Sequence, residues 1–286
     1  MKKVAVLSDI HGNHIALKRC VSYALEQGAD TFLFLGDYIG EVAYPEKTME
    51  MLYQLSEAYQ CYFVRGNKED YWLDYQSRGE QGWKEYDSTT GSLYYTYRRL
   101  TPADLDFFRS MDVSQSISLG AASKLTICHG SPYKVNEKLL PGADRTMEIM
   151  DNTDTSAILC GHTHVQGSFY HNGKWVWNAG SVGVPLGSGG KAQFLLLQEK
   201  ENQWEPEFIS LEYNIQAVIA ELHESGLNQY APCWCKVTEA VLQKGTPSHG
   251  TVLSEAMALC RAAEGFCNWP EVPEKYWEQA VKNCLG

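Results

Sequence analysis

Val4-Ala-Val-Leu-Ser-Asp9-Ile-His11 is a short apolar run that stops on two polar residues. Four later stretches follow the same grammar: Thr31-Phe-Leu-Phe-Leu-Gly-Asp37, Cys61-Tyr-Phe-Val-Arg-Gly-Asn67, Leu125-Thr-Ile-Cys-His129 and Ala157-Ile-Leu-Cys-Gly-His162-Thr-His164. A near-continuous apolar run of this length reads as a strand buried on both faces. Helical patterns separate the early runs. Ala16, Leu17, Cys20, Val21, Ala24 and Leu25 recur at helical spacing and stop at Gly28, a C-cap residue. A second helix is expected over 46–58, and Thr101-Pro102-Ala103-Asp104 opens another with an N-cap and a Pro at N1. Strands alternating with helices predict a largely parallel sheet at the front of the chain. The later runs 174–178, 192–198 and 208–213 lack long crossovers and predict hairpins or a second sheet packed on the first.

In an open α/β sheet, side chains just past the carboxyl ends of neighbouring strands gather in one crevice. Asp9, His11, Asp37, Asn67, His129, His162 and His164 are placed to meet there, and such a set of N and O donors forms a metal site. Alternate residues of an extended segment point the same way, so Asp9/His11 and His162/His164 are expected to act as pairs. The adjacent glycines are expected to let each strand end turn sharply. Seven ligands are too many for one catalytic ion with an open position; they suit two ions sharing a bridging carboxylate. Two cations about 3.5–4 Å apart clamp a phosphoryl group and bring the pKa of a bridging water near neutrality. Mixed N and O ligands put manganese first, with iron, zinc, cobalt or nickel as alternatives.

Composition narrows the classes. A chain of 286 residues is one large domain or slightly more, and needs no disulfide or metal staple to fold. With 44% hydrophobic and 21% charged residues it is neither disordered, collagenous nor coiled coil. A net charge of −11 disfavours bulk nucleic acid, so an anionic substrate needs positive charge supplied inside the site. No apolar run approaches the roughly 18 residues of a membrane span. The apolar stretch after Met1-Lys2-Lys3 is too short for a signal peptide, and a cytoplasmic protein is expected. Several of the nine cysteines, such as Cys20, Cys128 and Cys160, lie in apolar runs and read as reduced thiols. Cys233-Trp-Cys235, Cys260 and Cys267 lack the spacing of a zinc site.

The ordered set Asp-x-His, Gly-Asp-x-x-Gly, Gly-Asn, His-Gly and Gly-His-x-His resembles the calcineurin-like metallophosphoesterase superfamily over residues 9–164, and 178–183 resembles a further segment of it. The resemblance implies an α+β fold, a four-layer α/β/β/α sandwich with metals at the strand ends. It implies one divalent ion on Asp9, His11, Asp37 and His164 and another on Asp37, Asn67, His129 and His162, with Asp37 bridging. Ser8-Asp-Ile-His-Gly-Asn13, Gly36-Asp-Tyr-Ile-Gly40 with Tyr44-Pro45, and His129-Gly-Ser-Pro132 are similar to bacterial members of the diadenosine tetraphosphatase type. That implies a metal-dependent hydrolase in which a metal-bridging hydroxide attacks a phosphoester or phosphoanhydride of a nucleotide or dinucleoside polyphosphate. The alternatives are a phosphodiesterase or a phosphomonoesterase, protein phosphatases included. An alternative of another class is a non-catalytic scaffold of the same fold, against which the complete ligand set stands. Many members read Gly-Asn-His-Asp/Glu, the His acting as general acid; here Gly66-Asn67-Lys68-Glu69 stands instead. Lysine is a poor acid near neutral pH, so a leaving group that departs as an anion is expected. Lys68 or His14 would stabilise its charge, while Asn67 and the ions bridged by Asp37 stabilise the charge that develops on the equatorial oxygens.

The domain expectation is a metallophosphoesterase domain over 1–213 with an aromatic-rich helical insertion at 71–100, then a helical C-terminal subdomain over 214–286. The aromatics of 71–100 either stack a purine base, with Arg98 and Arg99 on phosphate, or pack on the sheet. Arg65 either touches substrate or pairs with a carboxylate. In the tail, Ile215, Val218, Ile219 and Leu222 follow an Asn214 N-cap, and further helices are expected around 237–243, 253–263 and 274–284. This tail covers the site mouth, dimerises or completes the core; the sequence carries no signature of a fixed oligomeric state. His171, His223 and His249 fall outside the ligand pattern and read as surface or packing residues.

Overall fold

The computed structural model describes residues 2–286. The chain begins β1 (Lys3–Leu7), α1 (His14–Glu26), β2 (Thr31–Phe34), α2 (Pro45–Ala58), β3 (Gln60–Phe63), α3 (Asn67–Ser77), α4 (Gly91–Tyr97) and α5 (Pro102–Ser110). It continues through β4 (Ser114–Ile117), β5 (Leu125–Cys128), α6 (Asp144–Asp151), β6 (Ala157–Cys160), β7 (Gly167–His171), β8 (Lys174–Asn178), β9 (Ala192–Lys200) and β10 (Gln203–Leu211). Five helices close it: α7 (Ile215–Glu224), α8 (Leu227–Tyr230), α9 (Pro232–Lys244), α10 (His249–Glu264) and α11 (Glu274–Leu285).

Two five-stranded sheets result, ordered β10-β9-β1-β2-β3 and β4-β5-β6-β8-β7. The strands that end in site residues run parallel to their neighbours: β1 with β2, β2 with β3, and β5 with β6. Period-two alternation sends their side chains to opposite faces. Val4, Val6, Leu33, Leu35, Leu125, Ile127, Ala157 and Leu159 share the core between the sheets. Ala5, Leu7, Phe32 and Phe34 face outward onto Leu17 and Cys20 of α1, Leu52 of α2 and Phe108 of α5. On the far side Cys128, Ile158 and Cys160 pack on Ile149 and Met150 of α6. Helices, sheet, sheet and helix make four layers, which is why the strand sequences are apolar without alternation.

The hairpin β9–β10 joins the first sheet antiparallel to β1. Strands β4 and β7 were not legible in the sequence. Their residues, Ser-Gln-Ser-Ile and Gly-Ser-Phe-Tyr-His, lie at the two edges of the second sheet, where one side of the strand is unpaired and apolar patterning is not needed. The aromatic stretch after Asn67 is two short helices rather than one unit, and most of its rings pack. Trp72 is fully buried in the outer core, and Tyr75 stacks on Trp83 at 3.9 Å with Tyr97 edge-on. The closing helices gather Val237, Leu242, Val252 and Trp277 into a core that takes in Val42, Tyr95 and Val184 from earlier in the chain. All nine cysteines are unpaired. Among the described residues no helix is long and apolar enough to cross a membrane.

Candidate metal centre

The parallel strands end together, and the loops after them are laced to one another. The Asp9 and His11 N–H groups donate to the carbonyls of Gly36 and Asp37, Gly161 N–H donates to the His129 carbonyl, and Gly183 N–H donates to that of Asp9. The segment 178–183 is part of this lacing: Ser181 Oγ donates to the Asp9 carbonyl at 2.7 Å, and Asn178 Nδ2 to that of Gly161 at 2.8 Å.

The ligand pairs do not work by strand alternation. Asp9, His11, Asp37, His162 and His164 have φ of 53°, 52°, 52°, 63° and 57°, the left-handed region that non-glycine residues avoid. These residues turn the chain themselves, at about 1–3 kcal/mol each, and the surrounding hydrogen bonds hold them there. Gly66 and Gly161 have no left-handed φ, so turning is not their task. A Cβ on Gly161 would stand 1.9 Å from Ser8 Oγ and 2.3 Å from Asp9 Oδ2; one on Gly66 would stand 2.3 Å from Asp37 Oδ1. They are glycines because carboxylates press against their backbone.

The resulting donors face one another. Two groups of side chains could hold a metal ion: Asp9, His11 and His164, and Asp9, Asp37 and His129. Asp37 also touches both, with Oδ2 3.7 Å from His11 Nε2 and Oδ1 3.5 Å from His129 Nε2. Asn67 Oδ1 lies 3.1 Å from His129 Nε2, and the His162 ring is 5.1 Å from that of His129. The Nδ1–H groups of His129 and His164 donate to the carbonyls of Leu35 and Val184, at 2.7 and 3.0 Å. Each ring therefore turns an Nε2 lone pair inward, the tautomer a metal ligand needs. His164 Nε2 is 3.1 Å from His11 Nε2 and from Asp9 Oδ1. Asp9 Oδ1 and His11 Nδ1 are buried without a hydrogen-bond partner. Inward lone pairs and an orphaned carboxylate oxygen in one buried cluster fit bound cations.

The carboxylates and imidazoles of the cluster act strongly on one another. Burial works to raise the Asp9 carboxyl, but the imidazoles of His164 and His129 outweigh it and hold it well below the usual range. Burial opposes charge on His129, yet the carboxylates of Asp37 and Asp9 raise it above its ordinary value. His162 has less compensation: burial, then the charge of His129, push it down to about 4. Glu69 buttresses the floor by accepting N–H bonds from Gly66, Asp37 and Tyr38 at 2.8, 2.9 and 3.0 Å.

His11, Asp37, Asn67, His162 and His164 form the floor of a cavity of about 290 Å3, with Asp9 and His129 buried beside them. Lys68, on the first turn of α3, reaches its wall. Its Nζ is 2.5 Å from Glu41 Oε1, both side chains being buried. Burial opposes its charge, but Glu41 and then Asp37 raise its pKa above normal. Glu41 also accepts a hydrogen bond from the Trp234 indole N–H and lies 4.0 Å from His249 Nε2.

A sequence profile of the calcineurin-like phosphoesterase superfamily domain matches residues 1–202. The chain belongs to the calcineurin-like phosphoesterase superfamily. Among curated proteins it is similar to the uncharacterized protein MJ0912 of Methanocaldococcus jannaschii, 25% identical over 248 residues that span 79% of this chain and 94% of that one. Among solved structures it resembles a metallophosphoesterase from Sphaerobacter thermophilus, with a TM-score of 0.67 and 22% identity, covering 85% of this chain and 100% of that one. The hypothetical protein PH1004 from Pyrococcus horikoshii OT3 has a TM-score of 0.71 and 20% identity, covering 87% and 100%. The two structures share the fold. The family generally uses divalent metals, and this chain has candidate donor groups for them.

Several residues singled out for this phosphoesterase lie elsewhere. His14 opens α1 and turns toward α7, with Nε2 3.6 Å from Glu221 Oε1, outside the cavity. Arg65 is taken by Asp70, its Nε 2.7 Å from Oδ1. Arg98 donates to the Tyr94 hydroxyl, and Arg99 lies 3.5 Å over the Tyr95 ring; neither lines the cavity. Each is held by a neighbour on its own or a nearby helix. In the other direction, His249 is no bystander: it lines the cavity with Glu41, Trp234 and Trp269. Three of these four residues come from the tail, and no motif marks them, because folding alone brings α9 and α10 to the strand ends.

Proposed function

We propose that this superfamily member is a two-metal phosphoesterase whose substrate is a nucleotide or dinucleoside polyphosphate, as in the bacterial diadenosine tetraphosphatase type. The observation that carries it is the convergence of the strand-end donors: Asp9, His11, Asp37, His129 and His164 fall into two groups that could hold a metal ion, and His11, Asp37, Asn67, His162 and His164 line one cavity. Asp9, His11, Asp37 and His164 would hold one ion, and Asp37, Asn67, His129 and His162 the other, with manganese the first choice. When bound, such ions supply Lewis acidity and an activated water near neutral pH, and they reverse the local effect of a net charge of −11.

The protein's own groups do the rest. The Asn67 amide, held on the first turn of α3 beside His129, donates toward charge that develops on the phosphoryl oxygens. Lys68 adds fixed positive charge at the wall. Its ammonium is engaged by Glu41, so it serves as a charge and not as a proton donor. That favours a leaving group able to depart as an anion, such as a phosphate of a nucleoside polyphosphate. The thiols packed as small hydrophobes support a cytoplasmic setting.

The test is hydrolysis of 4-nitrophenyl phosphate and of a panel of nucleotides, dinucleoside polyphosphates and diesters with added Mn2+. Turnover that Asp37→Asn abolishes, highest on the anhydrides, is the expected result. Better turnover of diesters or of phosphoproteins would replace the substrate class. No turnover on any of them with manganese bound would mean a non-catalytic scaffold.

A further inference from the structure

The floor of the cavity is polar, but the wall above it is aromatic, and most of that wall comes from the tail. Tyr71 of α3 and Trp269, between α10 and α11, meet with ring centroids 5.6 Å apart and planes inclined at 35°. Both line the cavity. Trp269 is 44% exposed, a large apolar ring left in water at the edge of a cleft. Deeper in, Trp234 and His249 stack at 4.4 Å and 29°. The Thr238 hydroxyl donates to the Trp234 carbonyl at 3.1 Å and lies 2.8 Å from His249 Nε2, so its oxygen accepts the Nε2–H. The lone pair of the neutral ring is then on Nδ1. Burial first, with the charge of Lys68 adding to it, pushes His249 down to about 4, which keeps the ring neutral. Lys138 lines the same cavity with no ion pair among the described residues.

We propose that Tyr71 and Trp269 form a stacking platform for the planar base of a nucleotide whose phosphate lies over the metal-ligand floor. The phosphate end rests on the phosphoesterase reading above; the base end rests on the rings. A nucleobase fits better than a plain aryl ring, because the wall also carries polar groups, the His249 imidazole and the Ser92 hydroxyl among them. A cavity of about 290 Å3 is at the small end of ligand sites, so it suits one nucleotide unit rather than two.

Binding can be read without turnover, using two non-hydrolysable ligands with the same P–C–P head: α,β-methylene adenosine diphosphate and methylenediphosphonate. Calorimetric titration of the manganese-loaded full chain should show the nucleoside ligand binding about 5- to 150-fold tighter, the worth of one base–aromatic stack. Trp269→Ala should remove most of that gap and Trp269→Phe should keep most of it. Methylenediphosphonate should bind all three proteins alike, which also verifies that the variants are folded. Equal affinities in the wild type, or a gap that survives Trp269→Ala, would overturn the platform. A wild type with the gap intact that hydrolyses no ester or anhydride would instead fail the proposed function and leave the platform standing.

Discussion

At the scale of single residues, the informative position is the one where a general-acid histidine was looked for and a lysine stands. Lys68 is not free to act alone, because Glu41 and Trp234 tie it to the tail. Removing one member of a buried pair leaves an uncompensated charge, so Glu41→Gln should cost about 3–5 kcal/mol in urea unfolding. The double variant Glu41→Leu with Lys68→Met should cost clearly less, since both charges leave together. Equal costs would mean that water already solvates the pair. For function, Lys68→Ala should slow the chemical step on a phosphoanhydride by about 100-fold, as for a lost charge-stabilising donor. On an alkyl phosphodiester both proteins should be slow. Equal activity of the wild type on the two substrates would remove the argument from leaving-group acidity.

At the scale of elements, the site depends on how closely the strand-end loops approach. Gly183 lies against the turn after β1, where an added Cβ would stand 1.8 Å from the Ile10 carbonyl oxygen. That atom is backbone and cannot rotate away. Gly183→Ala should therefore destabilise by roughly 1–3 kcal/mol. It should also weaken manganese binding, because the Gly183 N–H holds the Asp9 carbonyl. Gly167, at the start of edge strand β7, has nothing within 4 Å of an added Cβ, and Gly167→Ala should stay within about 0.5 kcal/mol of the wild type. Similar losses at both positions would show that the close packing behind Asp9 is not what positions it.

At the scale of the whole molecule, two sheets converge on a cluster that is strained and electrostatically uneven by itself. Five of the candidate donor residues sit in left-handed backbone, and buried donors face one another. Cations that bind only the folded chain must stabilise it, by about 2.7 kcal/mol at a hundredfold excess over Kd. Manganese should raise Tm in scanning calorimetry, EDTA should reverse the rise, and Asp37→Asn should blunt it. A Tm indifferent to manganese would count against metal binding at this cluster. Much of this molecule was written into the chain order. Apolar runs closing on Asp9, Asp37, His129 and His162 defined the buried parallel strands, since a strand covered on both faces has no polar period to hide it; the run before Asn67 is also a parallel strand, but β3 is a half-buried sheet edge. The same runs brought the candidate donors together, because parallel strands carry their final residues to one end. Edge strands β4 and β7 escaped notice because their own residues, Ser-Gln-Ser-Ile and Gly-Ser-Phe-Tyr-His, carry no apolar run. The left-handed turns at Asp9 and His162 and the pressed glycines depend on contacts between loops far apart in sequence. So do Glu41, Trp234, His249 and Trp269, whose place over the floor was decided when the closing helices packed on Val42 and Val184: local pattern specifies what each strand is, while the walls of a cleft belong to whichever distant surfaces tertiary packing brings to it.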